Sequence, residues 1–260
     1  MGEFVLYEKK ENVAWITINR PEALNAISTG VMEELLGYLN EAEKDMDVLC
    51  TVLTGAGEKA FSAGGDVKEE LKTTSTMAVK FCTMAHTICN KFQTVRMPVI
   101  AAVNGYALGG GMEFALACDF IVAADTAKFG MPAVNLGIIS GFGGTQNIVR
   151  AVGKARAKEI MYTGRMLKAQ ECYDLGIVQK IVEKASFIDE VTALANEIAS
   201  KPPYAIRATK EAVTRGVEVD METAYLLETG YAAPCYDTED KYEAMTAFIE
   251  KRKPKKFINR

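Results

Sequence analysis

Two glycine-rich tracts and one glutamate carry most of the chemical potential of this chain. The tracts are Phe61-Ser62-Ala63-Gly64-Gly65-Asp66 and Asn104-Gly105-Tyr106-Ala107-Leu108-Gly109-Gly110-Gly111-Met112-Glu113, and each follows an apolar run of strand character. Three glycines ahead of a helical stretch remove side-chain bulk and leave unbonded amides at the helix start. Such amides, reinforced by the helix dipole, suit an anion or a carbonyl oxygen that becomes one. Taken alone, either tract is better explained as a tight turn or a close-packing site, because glycine turns are common. Glu113 stands three residues past Gly110, about one helical turn on. Its neighbours Met112, Phe114, Ala115 and Leu116 make an apolar helix. An unpaired acid there suits proton transfer better than the alternative, a solvent-facing helix glutamate.

The elements that must position these residues follow from periodicity. Residues 4–9 and 13–18 read as two strands about Glu11-Asn12, closed by Arg20-Pro21. Ser28 is placed to cap a helix over 29–44, with Val31, Met32, Leu35, Leu36 and Leu39 as its apolar stripe. A strand over 48–54 ends at Gly55-Ala56-Gly57, and a helix over 76–95 carries Met77, Phe81, Met84, Ala85, Ile88 and Phe92 on one face. Strands over 99–103, 119–124 and 177–182 follow, with a loop through 129–144 and a helix from about Thr145. From residue 186 the pattern is helical, broken at Pro202-Pro203 and Pro234. Strand–turn–helix alternation with a helical tail predicts an α/β fold: a parallel-sheet core over 1–195 and a helical region over 196–260. The sequence has no internal repeat and no low-complexity linker.

Composition excludes several classes. The chain has 260 residues, net charge −4, and about half apolar residues, enough for a core without metal or disulfide staples. An acidic balance gives no footprint for nucleic acid. Only the tail Lys251, Arg252, Lys253, Lys255 and Lys256 is basic, readable as a solvated end or an anion contact. Six cysteines without a C-x-x-C pair, and a single histidine, exclude the usual zinc spacings and suit reduced thiols in the cytoplasm. No window approaches a membrane span, and the first ten residues alternate like a strand, unlike a secretory leader. His86 lies off the apolar stripe of its helix and no G-x-S-x-G elbow accompanies it, so a hydrolase triad is not expected. Gly141-Phe142-Gly143-Gly144 does not complete a dinucleotide fingerprint, and no redox cofactor is implied.

Taken in order along the chain, the motifs resemble those of the crotonase (enoyl-CoA hydratase/isomerase) family. The match runs through Asn19-Arg20-Pro21-Glu22-Ala23-Leu24-Asn25-Ala26, Leu53-Thr54-Gly55, Ala60-Phe61-Ser62-Ala63-Gly64-Gly65-Asp66 and Pro98-Val99-Ile100-Ala101-Ala102-Val103-Asn104-Gly105. It continues in Ala107-Leu108-Gly109-Gly110-Gly111-Met112-Glu113 to Cys118-Asp119, Gly141-Phe142-Gly143-Gly144-Thr145-Gln146 and Ala247-Phe248-Ile249-Glu250-Lys251-Arg252. Within the family the chain looks closest to bacterial short-chain 3-hydroxyacyl-CoA dehydratases. The resemblance implies a spiral of ββα units with a C-terminal helical trimerisation region, assembled as a homotrimer or a homohexamer. It implies an acyl-CoA substrate, with coenzyme A as part of the substrate and no separate cofactor. The amides of Ala63 and Gly110 would form an oxyanion hole for the thioester enolate, and Glu113 would be the acid/base. Ala23, Leu24, Ala63, Gly64, Gly65, Asp66, Gly110 and Phe257 would contact the CoA or acyl portion, with the basic tail nearby.

One departure bears on mechanism. Hydratases of this family carry a second glutamate after a Phe-Gly-x-Pro turn, and here Phe129-Gly130-Met131-Pro132 is followed by Ala133. Ser140 and Asn147 also replace a common proline and arginine. Alanine moves no proton, and a general acid/base contributes about 10²–10⁴-fold where it is used. The expected activity is reversible hydration of a short 2-enoyl-CoA. Alternatives that need one carboxylate are an enoyl-CoA isomerase, an acyl-CoA decarboxylase or a hydratase of conjugated dienoyl-CoA. A weakly catalytic acyl-CoA-binding protein is the alternative of another class. Asn135 and Ser140 are the nearby polar residues, and neither is a good acid.

Overall fold

The computed structural model describes residues 2–259. Two strands, β1 (Val5–Lys10) and β2 (Val13–Ile18), form the expected antiparallel hairpin, with Glu11 turning at φ 53°. The chain then crosses to β3 (Cys50–Gly55) through α1 (Thr29–Lys44), whose Ser28 cap accepts the Val31 amide at 3.3 Å. Val31, Met32, Leu35 and Leu39 on α1 are fully buried.

From β3 onward the fold repeats one unit three times, although the sequence shows no repeat. In each unit a long strand is followed by a three-residue strand and then a helix. The first unit is β3, β4 (Ala60–Ser62), the short α2 (Val67–Glu70) and α3 (Ser75–Thr94). The second is β5 (Val99–Val103), β6 (Tyr106–Leu108) and α4 (Gly110–Ala117). The third is β7 (Phe120–Ala124), β8 (Lys128–Gly130), a 3-10 turn over Pro132–Leu136 and α5 (Gly144–Thr163). The long strands line up parallel, Leu53 beside Ala101 and Ala101 beside Ile121. After α5 come β9 (Met166–Lys168), α6 (Ala169–Asp174) and β10 (Lys180–Val182). One six-stranded sheet runs β1-β2-β3-β5-β7-β10, and a four-stranded sheet runs β4-β6-β8-β9. The crotonase-type spiral of ββα units is therefore present.

The second sheet is where the sequence reading falls short. Both glycine tracts, read as turns, contain short strands: Phe61 and Ser62 belong to β4, and Tyr106 to Leu108 to β6. Three residues are too few for a period to show. The 76–95 helix also packs more narrowly than its stripe suggests. Ala85, Ile88 and Phe92 are buried, whereas Met77 is half exposed.

The remaining helices are α7 (Phe187–Ala199), α8 (Pro203–Gly216), α9 (Met221–Ala232) and α10 (Glu239–Ile249). α7, which contains residue 195, packs on β2 and β3. α8 is fastened to the core by one side chain. Lys210 Nζ, almost fully buried, donates to Phe92 O at 2.7 Å, Met97 O at 3.0 Å and Asp119 Oδ2 at 2.8 Å. Asp119 also accepts the Val99 amide at 2.6 Å. Burial raises the Asp119 carboxyl against the pull of Lys210, so the pair orients the helix more than it stabilises the fold. Removing one partner strands the other. Lys210→Ala is expected to destabilise the protein by about 3–5 kcal/mol, read by urea unfolding.

Candidate active site

The wall of the site begins in the 20–26 turn. Leu24 and Asn25 both take left-handed backbone, φ 50° and 57°. Asn25 tolerates this conformation better than most residues, and its side chain, fully buried, repays the position with hydrogen bonds. Its Oδ1 accepts the Arg20 amide at 2.9 Å, and its Nδ2 donates to Ala56 O at 3.0 Å and Ala60 O at 2.7 Å. The turn is thereby tied to the strand that leads into the first glycine tract. Arg20 Nη1 reaches Ala26 O at 2.8 Å and Asp66 Oδ2 at 2.9 Å. Asp66 also caps α2 by accepting the Lys68 amide at 3.0 Å. Burial raises the Asp66 carboxyl, but Arg20 and the amides outweigh it and hold it below the ordinary aspartate value. Asp66, expected among the substrate contacts, is thus committed to the loop itself.

Ala63 is also committed. Its amide donates to Leu24 O at 2.9 Å, so it points into the fold and is not available to a ligand. The amide that is free lies two residues further on. Gly65 bridges Ile27 in a way that engages the Gly64 carbonyl and the Asp66 amide but leaves the Gly65 amide without an acceptor among the described residues. Gly110 opens α4, and its amide likewise has no acceptor there, as the first turn of a helix requires.

The two tracts meet backbone to backbone. Gly64 has φ 108°, and a methyl carbon on it would lie 2.9 Å from Leu108 O and 3.5 Å from the Gly110 nitrogen. A methyl on Gly111 would lie 2.3 Å from Ser62 O, and one on Gly110 would lie 2.7 Å from the Phe142 ring. Glycine is required on both sides for this approach of the two tracts.

Glu113 is 3% exposed, which excludes a solvent-facing role. Its Oε1 accepts the Phe142 and Gly144 amides, each at 2.8 Å. Burial pushes its carboxyl up to about 7, the two amides restrain the rise, and the charge of Glu70 adds to it. The 141–144 loop is held in turn by Cys89, whose thiol donates to Phe142 O at 3.0 Å, and by Phe142 packed against Phe81 and Phe114. A methyl on Gly144 would lie 2.5 Å from Glu113 Cγ, so this glycine also admits the carboxylate.

Other expected residues lie elsewhere. Ala133 sits on the 3-10 turn after β8, and Asn135 lies against Gly164. His86 is exposed on α3, and the six cysteines are all free. Phe257 is on a tail that folds back on α10 of its own chain, where Asp240 accepts the Ile258 and Asn259 amides, each at 2.8 Å. The residue that sequence reasoning passes over is Glu70, the last of α2. A methyl on Gly65 would lie only 2.0 Å from its Oε1. In the sequence it closes the charged run Asp66-Val67-Lys68-Glu69-Glu70, which reads as a solvated surface.

A pair of free amides beside a buried carboxylate suits a carbonyl that gains negative charge while a proton moves next to it. Residues 8–257 match the enoyl-CoA hydratase/isomerase family, and the chain belongs to it. It is 43% identical over 256 residues to the short-chain-enoyl-CoA hydratase of Clostridium acetobutylicum, covering 98% of each chain. It is 39% identical to the crotonyl-CoA hydratase of Syntrophomonas wolfei, covering 96% of each. The solved enoyl-CoA hydratase of Bacillus anthracis superposes with a TM-score of 0.95 at 37% identity, over 99% of this chain and 100% of that one.

The raised Glu113 carboxyl has a consequence for stability. Its folded value of about 7 lies above the unfolded glutamate value of about 4.3, so its contribution is fully present below the unfolded value and is lost as pH rises through 7. Glu113→Gln, which keeps an acceptor for both amides, is expected to be about 2–3 kcal/mol more stable than wild type at pH 8, with the gain shrinking toward pH 4. Urea titrations at the two pH values check this.

Proposed function

We propose that the chain is an enoyl-CoA hydratase that reversibly adds water to a short 2-enoyl-CoA. The observation that carries this reading is the contact between the two tracts that bear the free Gly65 and Gly110 amides, with buried Glu113 one helical turn past Gly110. The thioester oxygen sits on the two amides, which hydrogen-bond best to the enolate that forms there. Each such donor contributes about 3 kcal/mol at the transition state. Glu113, ionised for about half the molecules near pH 7, takes the proton of a water as its oxygen attacks C3. The amides at Phe142 and Gly144 fix the carboxylate through Oε1 and leave Oε2 for the water. Gly65 replaces Ala63 in the oxyanion role expected from the sequence, because the Ala63 amide is bonded to Leu24 O.

CoA arrives as part of the substrate, and no separate cofactor is invoked. Ala23, Leu24 and residues 63–65 line the approach to the amides, and Phe257 with the basic tail serves a CoA bound by a neighbouring subunit. The assembly is a homotrimer or a dimer of trimers. Support comes from α8 to α10, where Val213, Val217, Met221, Leu226, Phe248 and Ile249 are exposed. Light scattering on the purified protein is expected to give three or six chain masses, and a single chain mass would overturn the assembly. Six free thiols suit the cytoplasm. Among the described residues no helix is long and apolar enough to cross a membrane.

Ala133 favours a second reading in which one carboxylate suffices, an enoyl-CoA isomerase or acyl-CoA decarboxylase. Product analysis with 2-enoyl, 3-enoyl and malonyl-type thioesters separates the two, and hydration of crotonyl-CoA is the outcome expected. Glu113→Gln should lower kcat for that reaction by about 10²–10⁴-fold. In the wild type the rate should rise with pH through about 7 as Glu113 ionises. A Gln variant within a few-fold of wild type would remove Glu113 from the chemistry.

A further inference from the structure

We propose that Glu70, at the end of α2 and against the oxyanion glycine Gly65, is the second proton-transferring carboxylate of this site and supplies the proton at C2 that Ala133 cannot. The inference rests on the acyl-thioester reading of the site. Its ground is placement. Glu70 Oε1 lies so close to Gly65 that a methyl carbon there would meet it at 2.0 Å, with Cδ at 2.8 Å. Gly65 can therefore be nothing larger while Glu70 occupies this position. A thioester oxygen on the Gly65 amide puts C1 beside that glycine and C2 one bond further, within reach of the same carboxyl. Among the described residues the Glu70 side chain has no salt bridge and no hydrogen-bond partner, so the fold does not use it as a tie. Its neighbours Asp66 and Glu69 are used, by Arg20 and by Thr29 respectively.

The electrostatics define which form acts. Burial raises the Glu70 carboxyl, and the charges of Asp66 and Glu69 in the same turn raise it further. Across the space, Glu113 on α4 and Cys82 on α3 both feel the Glu70 charge as a rise in their own values. Three acidic groups from three elements thus face one region, and no cation is among them. An ionised Glu70 would repel the enolate held on the Gly65 amide, so the productive form is the neutral acid. In the step itself, a water oxygen bonds to C3 while Glu113 takes one of its protons, and the C2–C3 π pair moves toward C1 and the thioester oxygen. The enolate then collapses, its electron pair takes the proton of Glu70 at C2, and the carbonyl reforms. Proton exchange through solvent returns Glu70 to the acid and Glu113 to the carboxylate, and the sum is water plus enoyl thioester giving the 3-hydroxyacyl thioester.

The test uses two substrates and the full-length protein. With crotonyl-CoA, Glu70→Gln is expected to lower kcat by about 10²–10⁴-fold with KM little changed. With saturated butyryl-CoA in deuterium oxide, wild type should exchange the C2 protons and Glu70→Gln should not. Adding Ala133→Glu to the Glu70→Gln variant should restore part of the lost rate, which a merely structural Glu70 would not allow. Equal kcat and equal exchange in wild type and Glu70→Gln overturn the proposal, as does a wild type that exchanges nothing. If wild type fails to hydrate crotonyl-CoA yet shows Glu70-dependent exchange, the hydratase reading falls and Glu70 keeps its role. An unchanged thermal midpoint in the variant excludes unfolding as the cause of a loss.

Discussion

The approach of two backbones at Gly64 and Gly110 is the constraint on which the rest of this site depends. A side chain on Gly64, Gly110 or Gly111 would collide with backbone or with the Phe142 ring. Without side chains the two tracts come into backbone contact, Gly64 beside Leu108 O and the Gly110 nitrogen. Nothing in either tract alone holds them there. The short strands β4 and β6 pair in parallel and deliver both glycine turns to the same edge, and the 20–26 turn braces the first from behind through Asn25 and Leu24 O. The smallest sheet in the molecule is therefore the part that sets the chemical geometry, and the six-stranded sheet is its support.

Against this fixed pair of donors, the acid is held by an equally deliberate compromise. Burial alone would leave Glu113 neutral and useless as a base near pH 7. Two amides from the 142–144 segment offset part of that cost, and the balance leaves the group at about 7. The segment that supplies them is rigid for its own reasons, because Phe142 is wedged between Phe81 and Phe114 and its carbonyl is bonded to Cys89. A base held this way needs no reorganisation when charge moves, which is the usual origin of large electrostatic effects in catalysis. It also carries a stability cost at neutral pH, a trade common at functional sites.

Long elements and whole-chain motifs were legible from sequence because they repeat a period or a pattern. The 29–44 helix, its Ser28 cap and the 99–103 strand appear where their residues indicate. Three-residue strands have no period, so β4, β6, β8 and β9 were invisible as strands. The spacing of Gly110 and Glu113 on one helix was legible because helix geometry relates them directly. Ala63 could not, because the choice between its amide and that of Gly65 depends on Leu24 O, a partner 39 positions away in the chain that only the folded turn presents. Glu70 was hidden by its company. A charged run has the same composition whether it faces water or turns its last residue inward, and the difference lies in the α2 turn that Asp66 caps.

With Glu70 included, the missing glutamate at 133 looks less like a lost function than a relocated one. The charge of Glu70 adds to the rise of Glu113, while burial, Asp66 and Glu69 raise Glu70 itself. Hydration needs one group that accepts a proton from water and another that has one to give. Glu113, with two amides to stabilise its anion, is placed to accept. Glu70, with no hydrogen-bond donor among the described residues and two anionic neighbours, is placed to give. The division of roles thus follows from hydrogen-bond donors present at one carboxylate and absent at the other, and it does not require an acid at the position Ala133 occupies.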